Sequence, residues 1–415
     1  MKKLILKNVN LINQRGQLEK KDILILGNKI KRIYSRIKVD GTPLLNCENY
    51  LVIPGLINTH IHPKSILYKG CCDGVGLEQT LQFLETHNTE NEEIAYWASL
   101  TTAMEAIKTG TTCIVSFGSN NDVQLKAYEK IGIRANITLP LYDKEISEAE
   151  FTSHVNNINK YFKLAPKEGL INYSIGIPKI VSKIDKIFIT ASHLQKRYKC
   201  KFFIHVAEDE KNYKKFYNQY GYSEIKYLDK MDLLNKDTNI IHGIHLSAKD
   251  LKTVVDRGVK IIHCPTSNIK MNVGLLNINQ IKNKIAIGTD GAMFSNSYNM
   301  LNEIKIALML SRMNSENITP KEALRLFTSN GANVAGINIK AGLLRSGQFA
   351  DLVLFDLKEI SFIPRHNIYS NLIYNSSEIR PCTVIINGEF VMKKYKITTI
   401  REDNILNKVN CFKII

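Results

Sequence analysis

The chain has 415 residues, of which 44% are hydrophobic and 23% are charged, which is the composition of an ordinary folded globular protein. A formal net charge of +17 arises from 56 Lys and Arg residues against 39 Asp and Glu residues. The lysines are spread along the chain and mixed with acidic residues, so we expect a solvated basic surface and no nucleic-acid partner. No apolar run is long enough to cross a bilayer, and the N-terminal segment turns polar too early for a signal peptide. We therefore expect a cytoplasmic protein that does not contact membranes.

The pattern of apolar runs changes along the chain. The first fifty residues are predicted to be rich in β-strands, because they contain short apolar runs separated by glycines. From Leu51 onwards, strand-like runs alternate with longer amphipathic stretches such as EIAYWASLTTAMEAIKTG, which ends at a glycine stop signal. The predicted strands of this part are residues 51–60, 112–117, 133–139, 171–177, 201–206, 238–243, 259–264 and 284–289. Eight strands separated by helices are typical of a (β/α)₈ TIM barrel in the α/β class.

β character returns near the C-terminus, where FADLVLFDL and CTVIINGEFVM are predicted to form strands, the latter with an Asn-Gly turn. We expect the two β-rich chain ends to pair into one small β-sandwich domain, because chain termini often lie close together. The predicted division is therefore residues 1–52 and 344–415 for the β-sandwich and residues 53–343 for the barrel.

The eight cysteines include no CxxC pair, and a long chain without a secretion signal is not expected to carry a disulfide framework. Cys113, Cys200 and Cys264 lie in or beside strand-like runs, where we expect small buried core residues. The adjacent Cys71 and Cys72 follow the first predicted barrel strand, which places them near the mouth of a pocket at that strand end. The sequence leaves their role open.

Polar residues directly after apolar strands are the most informative feature of the barrel segment. Burying an imidazole or a carboxylate is costly unless something compensates, and a metal ion is the simplest compensation. His60 and His62 follow LVIPGLINT, and their i, i+2 spacing puts both side chains on one face of a strand. Histidines together with one carboxylate suit a borderline divalent cation such as zinc. We therefore predict that both histidines bind a metal.

A second pair of polar residues follows the fifth predicted strand, in KFFIHVAE. His205, as a neutral imidazole, suits the metal, and Glu208 is then free for proton transfer, as in metal-assisted hydrolysis. Alternatively, Glu208, Asp209 and Glu210 simply open a helix, where acidic residues are favoured. The spacing alone leaves both interpretations open.

The remaining strands also end in polar residues. His242 follows TNII directly, so we prefer it to His245 as the residue that faces the pocket, and we expect His245 in a loop. Asp290 ends IAIGTD and can both bind the metal and accept a proton from the attacking water, although a turn-forming Asp before Gly291 is the alternative. His263, at the end of the seventh strand, is expected to be buried and hydrogen-bonded.

Over nearly its full length the chain resembles the amidohydrolase superfamily of metal-dependent barrel hydrolases. The segments that carry the resemblance are VIPGLINTHIHP, HVAEDE, EIKYLDKMDLLNKDTNIIHGIHLS, HCPTSNIKMNVG, AIGTDGAMFSNSYNM and NGANVAGINIKAGLLRSGQFADLVLFD. Within the superfamily the chain is most similar to the branch of S-adenosylhomocysteine/methylthioadenosine deaminases, guanine and cytosine deaminases, and triazine hydrolases.

This resemblance implies a role for each strand-end residue. It implies one divalent metal ion, zinc or alternatively iron(II), bound by His60, His62, His205 and Asp290. Glu208 would carry a proton to a ring nitrogen of the substrate, and His242 would polarise the attacked group or the metal-bound hydroxide. Relatives with two metals use a carboxylated lysine, and Lys179 in SIGIPK leaves that arrangement open.

The segments expected to bind substrate depart from the pattern of nucleoside-specific members. Those members carry a Trp-Leu pair followed by Pro-x-Glu, whereas this chain has LQFLETHNTENEE, with His87 or a neighbour where the ribose-binding glutamate would be. Near the fourth strand, Pro178 or Lys179 replaces a substrate-contacting histidine, while Arg134 in IGIRANI matches a basic position. The candidate substrate-binding residues are therefore Arg134, Lys179, His87 and Asn268.

The resemblance implies a hydrolase of non-peptide carbon–nitrogen bonds: a metal-dependent deaminase of a nitrogen heterocycle, such as a purine or a nucleoside, that releases ammonia. Two alternatives stay open. The same fold can hydrolyse a C–Cl, C–S or cyclic amide C–N bond, and a catalytically silent barrel can serve as a binding protein, although the complete ligand set argues against the latter. Relatives are commonly dimers or tetramers, so we expect a homo-oligomer that binds a small heterocyclic substrate.

Overall fold

The structure is a computed structural model of the chain, and it describes residues 2–412 except for residues 88, 143–145, 166–168, 181–183, 279–280, 282–283, 314–317 and 338–339. The strands of this part are β1 (Lys3–Ile12), β2 (Leu18–Leu26), β3 (Lys29–Tyr34), β4 (Leu44–Asn46), β5 (Tyr50–Pro54), β6 (Leu56–Ile61), β7 (Thr111–Phe117), β8 (Arg134–Pro140), β9 (Ile171–Lys179), β10 (Phe202–Val206), β11 (Thr238–His242), β12 (Lys260–His263), β13 (Ile285–Ile287), β14 (Leu352–Asp356), β15 (Thr383–Ile386), β16 (Glu389–Lys393) and β17 (Lys396–Ile397).

The α-helices alternate with the central strands and continue beyond them. They are α1 (Leu77–His87), α2 (Glu92–Lys108), α3 (Asn121–Ile131), α4 (Glu148–Leu164), α5 (Asp185–Tyr198), α6 (Glu210–Tyr220), α7 (Glu224–Lys230), α8 (Ala248–Asp256), α9 (Pro265–Lys270), α10 (Ala292–Ser295), α11 (Met300–Met313), α12 (Pro320–Leu326), α13 (Ser329–Val334), α14 (Ile368–Tyr374) and α15 (Glu402–Asn410). Among the described helices, none is both long enough and apolar enough to cross a membrane.

Strands β6 to β13 form a parallel sheet in which each strand pairs with its neighbours in chain order. Strands β6, β7 and β8 are buried along their whole length, as expected for parallel strands that are covered on both faces. Helices between consecutive strands return the chain to the start of the sheet, which is the connection that parallel strands require. The predicted (β/α)₈ barrel is confirmed, and each predicted strand corresponds to an observed one.

The first predicted barrel strand is divided into two strands at Gly55. β5 ends at Pro54 and pairs with β14, whereas β6 begins at Leu56 and pairs with β7 in the barrel. A Cβ atom on Gly55 would lie 1.9 Å from Oγ1 of Thr112, so only glycine allows the chain to pass this close. The two chain ends form a second sheet from strands β1–β5 and β14–β17, which we call the end sheet. The change from the end sheet to the barrel falls at Gly55, just beyond the predicted boundary at residue 52.

Side chains close the barrel between its first and last strands. Oγ1 of Thr59 donates a hydrogen bond to the carbonyl oxygen of Ile287 at 2.7 Å. The side chain of Asn58 donates to Oγ1 of Thr289 at 2.7 Å and accepts from the amide of Thr289 at 3.1 Å. These bonds hold the end of β13 against the end of β6, where the predicted metal ligands lie.

The two chain ends build one β domain, as predicted. Strands β1–β5 and β14–β17 form a single hydrogen-bonded sheet, in which β14 runs antiparallel to β5 and Leu352 pairs with Pro54. This arrangement is one continuous sheet rather than two separate ones, and both halves contribute to one apolar cluster that includes Leu6, Val52 and Leu354. Residues 413–415, at the end of the predicted C-terminal part, lie outside the described residues.

Candidate active site

The predicted metal ligands meet at the carboxyl-terminal ends of the barrel strands, where barrel enzymes carry their active sites. His60 and His62 lie at the end of β6, His205 lies in β10, and Asp290 follows β13. The Nε2 atoms of His60 and His205 are 3.2 Å apart. Oδ1 of Asp290 lies 3.6 Å from Nε2 of His60 and 3.5 Å from Nε2 of His62.

These four side chains fit a divalent cation. The Nε2 atoms of His60 and His205 face each other at 3.2 Å, and a carboxylate oxygen of Asp290 lies beside them. The space between these atoms suits a positive charge. Ligand atoms about 2.0–2.1 Å from zinc in a tetrahedral site lie ~3.3 Å apart, which matches the spacing of the donor atoms. Nδ1 of His62 lies 3.0 Å from the carbonyl oxygen of Phe117 and donates to it, so the lone pair of Nε2 is directed at the centre.

Burial keeps the histidines neutral, which is the form that binds a metal. Desolvation lowers the pKa of His60 to about 4 and lowers the pKa of His62 and His205 as well. Burial acts to raise the pKa of Asp290, but the interactions with His60 and His62 outweigh it and hold this pKa well below its usual range. The site thus presents three neutral imidazoles and one carboxylate.

Glu208 and His242 lie beside the ligand cluster. Oε1 of Glu208 is 3.4 Å from Nε2 of His242, and ligand atoms of these two residues and Asp290 all lie within 4.8 Å of one another. Desolvation raises the pKa of Glu208 although the nearby His242 acts to lower it. A carboxyl group with a raised pKa is suited to accept and return a proton near neutral pH.

The structure distinguishes the two interpretations of the acidic run Glu208–Glu210. Asp209 is the N-cap of α6, and its Oδ1 accepts a hydrogen bond from the amide of Asn212 at 2.9 Å. Glu210 pairs with Lys214 on the surface. Glu208 lines the cavity over the ligand cluster. Asp209 therefore caps the helix and Glu210 lies on its surface, whereas Glu208 faces the cavity and is available for proton transfer.

The short helix α9 forms hydrogen bonds to two of the predicted site residues. Oγ of Ser267 donates to Oδ2 of Asp290 at 2.7 Å, and Oδ1 of Asn268 accepts from Nδ1 of His242 at 2.8 Å. With its proton on Nδ1, His242 presents the lone pair of Nε2 towards Glu208. Asn268 is fully buried against His242, so it orients this histidine instead of binding substrate as predicted. Ser267 was not predicted, although it lies in the HCPTSN segment.

Three strand-end residues of the site adopt a left-handed backbone conformation that non-glycine residues rarely take. The φ angles are +52° for Ala207, +67° for His242 and +61° for Asp290. Such conformations cost about 1–3 kcal/mol each and persist where the surrounding structure holds them, often at functional sites. The unusual backbone at His242 and Asp290 therefore accompanies side chains that converge on the site.

A cavity of about 580 Å³ opens over the ligand cluster. Its apolar walls include Leu77, Leu81, Leu84, Phe117 and Phe294. Its polar wall residues include Lys64, Glu85, Ser119 and Lys179. A cavity of this size, with mainly apolar walls and a few polar groups, is typical of a small-molecule binding site.

Of the predicted substrate-binding residues Lys179 and His87, Lys179 lines the cavity and His87 does not. Lys179 ends β9 and lines the cavity, and its role in substrate binding stays a prediction. His87 stacks on Phe83 with ring centroids 4.1 Å apart, and its Nδ1 lies 2.9 Å from the carbonyl oxygen of Phe83. The charged residue that this helix contributes to the cavity wall is instead Glu85. Residues two positions apart on a helix point in different directions, so spacing along the chain could not decide between them.

The prediction that Arg134 binds substrate is not supported, because this residue lies at the opposite end of the barrel. It begins β8 and is fully buried. Its Nε and Nη2 donate to the carboxylate of Asp351 at 2.7 and 3.1 Å, and its guanidinium carbon lies 4.0 Å from the ring centroid of Phe349. Arg134 therefore joins the barrel to the end sheet.

His245, His263 and the cysteines follow the sequence-based expectations. His245 lies in the loop after β11, with Nε2 2.6 Å from the carbonyl oxygen of Val273. His263 is buried, and desolvation lowers its pKa to about 3. All eight cysteines are unpaired. Cys72 packs in an apolar cluster with Tyr68 and Phe294, next to the cavity.

The chain is similar in sequence to known deaminases over nearly its full length. The chain is 32% identical over 404 residues to 5'-deoxyadenosine deaminase of Methanococcus aeolicus, covering 92% of this chain and 93% of that protein. It is 27% identical over 417 residues to 5-methylthioadenosine/S-adenosylhomocysteine deaminase of Pyrococcus furiosus, covering 98% and 99% of the two chains.

Solved structures confirm the fold. The crystal structure of an adenosine deaminase from Xanthomonas campestris with bound zinc superposes with a TM-score of 0.91 at 22% identity, covering 98% of this chain and 97% of that one. Atrazine chlorohydrolase from Arthrobacter aurescens, complexed with zinc, gives a TM-score of 0.90 at 17% identity, covering 98% and 99%.

The family assignment rests on both kinds of comparison. The profile of the amidohydrolase family matches residues 51–391, which include the barrel, every predicted metal ligand and part of the end sheet. This match and the deaminase relatives confirm the resemblance seen in the strand-end motifs and the predicted class of carbon–nitrogen hydrolase. The chain therefore belongs to the amidohydrolase family.

Proposed function

We propose that this protein is a hydrolytic deaminase of an adenine nucleoside. We propose further that it works with one divalent metal ion and that this ion is zinc. The observation that supports this proposal most directly is that Glu208, His242 and Asp290 converge beside three neutral histidines. Two of these histidines, His62 and His205, line the same cavity. The deaminase names of the full-length relatives support the nucleoside substrate, and the zinc named in the neighbouring structures supports the choice of metal.

The metal would be held by His60, His62, His205 and Asp290. When bound, a divalent metal acts as a Lewis acid that lowers the pKa of water from ~15.7 towards ~7.

The chain's own residues account for the proton transfers. Asp290 accepts a proton from the attacking water, because its pKa is held low and it is a carboxylate at neutral pH. Glu208, whose pKa is raised, delivers a proton to the ring nitrogen next to the attacked carbon, which makes that carbon electrophilic. Nε2 of His242 faces Glu208, and its lone pair can accept a hydrogen bond from the attacking water. Asp290 then returns its proton to the amino group, which leaves as ammonia, and Glu208 takes up the proton of the newly formed hydroxyl group, so both carboxyl groups regain their starting states.

The cavity walls suit a flat ring that carries a polar substituent. Leu77, Leu81 and Phe117 offer apolar surface for the ring faces, while Glu85 and Lys179 add charged groups to the same cavity. We propose that these two charged residues bind the sugar part of the substrate, Glu85 by accepting hydrogen bonds from hydroxyl groups and Lys179 by donating to oxygen atoms.

We expect the Lys179→Ala variant to raise the KM for an adenine nucleoside roughly tenfold or more and to leave kcat nearly unchanged. The reason is that a hydrogen bond from a charged donor stabilises bound substrate and transition state about equally. Steady-state kinetics of ammonia release measures both constants. Lys186→Ala is the matched control, since Lys186 is exposed and pairs with Glu148 outside the cavity. An unchanged KM for Lys179→Ala would remove this residue from the substrate site.

An ammonia-release assay of the zinc-loaded protein tests the proposed reaction. The panel contains 5'-deoxyadenosine, 5'-methylthioadenosine, adenosine, guanine and cytosine, together with a chlorinated triazine and a cyclic amide. We expect ammonia from the adenine nucleosides and a strong loss of turnover after removal of the metal with a chelator. Chloride release or ring opening without ammonia would instead support the alternative hydrolytic reactions. A protein that binds no divalent metal and turns over no compound would support the silent barrel.

The remaining expectations about partners and location stay predictions. A small heterocyclic substrate agrees with the cavity and with the relatives. The expected homo-oligomer, the absence of a nucleic-acid partner and the cytoplasmic location are properties that a sedimentation experiment, a binding assay and cell fractionation would measure.

A further inference from the structure

The turn between β10 and α6 carries the proposed proton shuttle. His205 lies before this turn and Glu208 follows it, and the residue between them that bends the chain is Ala207. Ala207 is buried and has a φ angle of +52°, a left-handed conformation that is unfavourable for alanine. The direction of the Glu208 side chain depends on this bend, so the groups that hold Ala207 also set the position of Glu208.

Two hydrogen bonds hold the backbone of Ala207. Its carbonyl oxygen accepts from the amide of His245 at 3.0 Å, and its amide donates to Oε2 of Glu224 at 3.0 Å. The first bond joins two backbone groups and is independent of side-chain identity. The second depends on Glu224 alone, and without it the buried amide of Ala207 would lose its partner.

Burying the carboxylate of Glu224 costs free energy. It lies in the first turn of α7 with only 6% of its surface exposed, and desolvation raises its pKa to about 7. The helix start offers some compensation, because acidic groups are favoured near a helix N-terminus. A buried carboxylate whose hydrogen-bonded partner is an active-site turn indicates a role in that turn.

We propose that Glu224 is a positioning residue for the reaction: it holds Ala207 in the left-handed conformation that aims Glu208 into the cavity. This inference rests on the proposed function of Glu208 as proton shuttle. It extends that function to a residue on a different helix, which takes no part in the metal cluster or the substrate cavity.

The alternative is that Glu224 only stabilises the fold, and a neighbouring carboxylate provides a control for that role. Asp250 on α8 is 7% exposed and accepts hydrogen bonds from Ser223, Ser247 and Tyr213. None of these bonds among the described residues reaches the turn at residues 205–209. A variant of Asp250 therefore disturbs a buried carboxylate of the same region without touching the turn.

Three variants test the proposal: Glu224→Met removes the acceptor, Glu224→Gln retains a carbonyl acceptor, and Asp250→Asn disturbs the neighbouring cluster. We expect Glu224→Met to lower kcat for 5'-deoxyadenosine by roughly 10- to 100-fold, with KM and zinc content nearly unchanged, because a small misplacement of a reacting group has this effect. Glu224→Gln should retain most of the wild-type kcat. Asp250→Asn should lower the melting temperature without lowering kcat.

Amide hydrogen exchange of a peptide that spans residues 204–209 gives a readout that does not need activity. We expect exchange in this peptide to become about tenfold faster or more in Glu224→Met and to stay at the wild-type rate in Glu224→Gln and Asp250→Asn. If wild-type protein deaminates no nucleoside, the proposed function fails while the exchange experiment still tests the turn. Unchanged kcat or unchanged exchange in Glu224→Met would overturn the proposal, as would an equal loss of kcat in Asp250→Asn.

Discussion

We expect the Glu208→Gln variant to lower kcat by roughly 10²–10⁴-fold while the protein keeps its metal. Glutamine has nearly the same shape as glutamate, but it cannot accept and return a proton. Glu208 lies 3.4 Å from His242 and lines the cavity, whereas the four proposed ligands are other residues, so its loss should affect proton transfer and leave metal binding intact. Steady-state ammonia release and metal analysis of the purified variant measure the two properties separately.

Glu210→Gln is the matched control for this prediction, because Glu210 is also an acidic residue at the start of α6 and pairs with Lys214 on the surface. This variant should keep wild-type kcat. Full activity of Glu208→Gln would mean that the acidic run serves only the start of the helix, and another group would then have to carry the proton.

We expect the Arg134→Met variant to lose about 3–5 kcal/mol of unfolding free energy, since it leaves the buried carboxylate of Asp351 without its cationic partner. The pair is almost completely shielded from solvent, and Asp351 would keep only hydrogen bonds such as the one from the amide of Asn387 at 2.7 Å. Denaturant unfolding, followed by circular dichroism, measures the loss. Kinetics at a temperature where the variant is folded should show an unchanged KM, because Arg134 lies far from the cavity.

The double variant Arg134→Met/Asp351→Leu distinguishes an unpaired charge from a general packing defect. Replacing both members of a buried ion pair by apolar residues is often neutral, so the double variant should recover most of the lost stability. A raised KM together with unchanged stability in Arg134→Met would restore the sequence-based interpretation of this residue as a substrate ligand.

Much of the fold and the metal site was predictable from local patterns. Parallel barrel strands are buried on both faces and therefore appear as continuous apolar runs, as in KFFIHV and TNIIH. A polar residue at the end of such a run is unusual enough to indicate a site, which is why His60, His205 and Asp290 could be proposed as metal ligands from the sequence. Their convergence follows from the barrel, since the ends of all its parallel strands lie at one edge.

Residues whose roles depend on partners distant in the chain were not predictable. Arg134 has the same local sequence whether it faces substrate or Asp351, and 217 positions separate the two members of the pair. Asn268 was assigned to substrate, yet its amide is engaged by His242. Nothing in the local sequence around Glu224 indicates that its carboxylate reaches the amide of Ala207.

The sequence by itself indicated the barrel through its apolar runs, and it indicated the proposed metal ligands and the candidate shuttle Glu208 through the residue types at the ends of those runs. Only the tertiary structure decided which polar residues line the cavity, which ones orient the reacting groups, and which ones join the barrel to the end sheet. Those roles depend on hydrogen bonds between side chains that are brought together by the closure of the barrel, and no local pattern specifies the partners of such a bond.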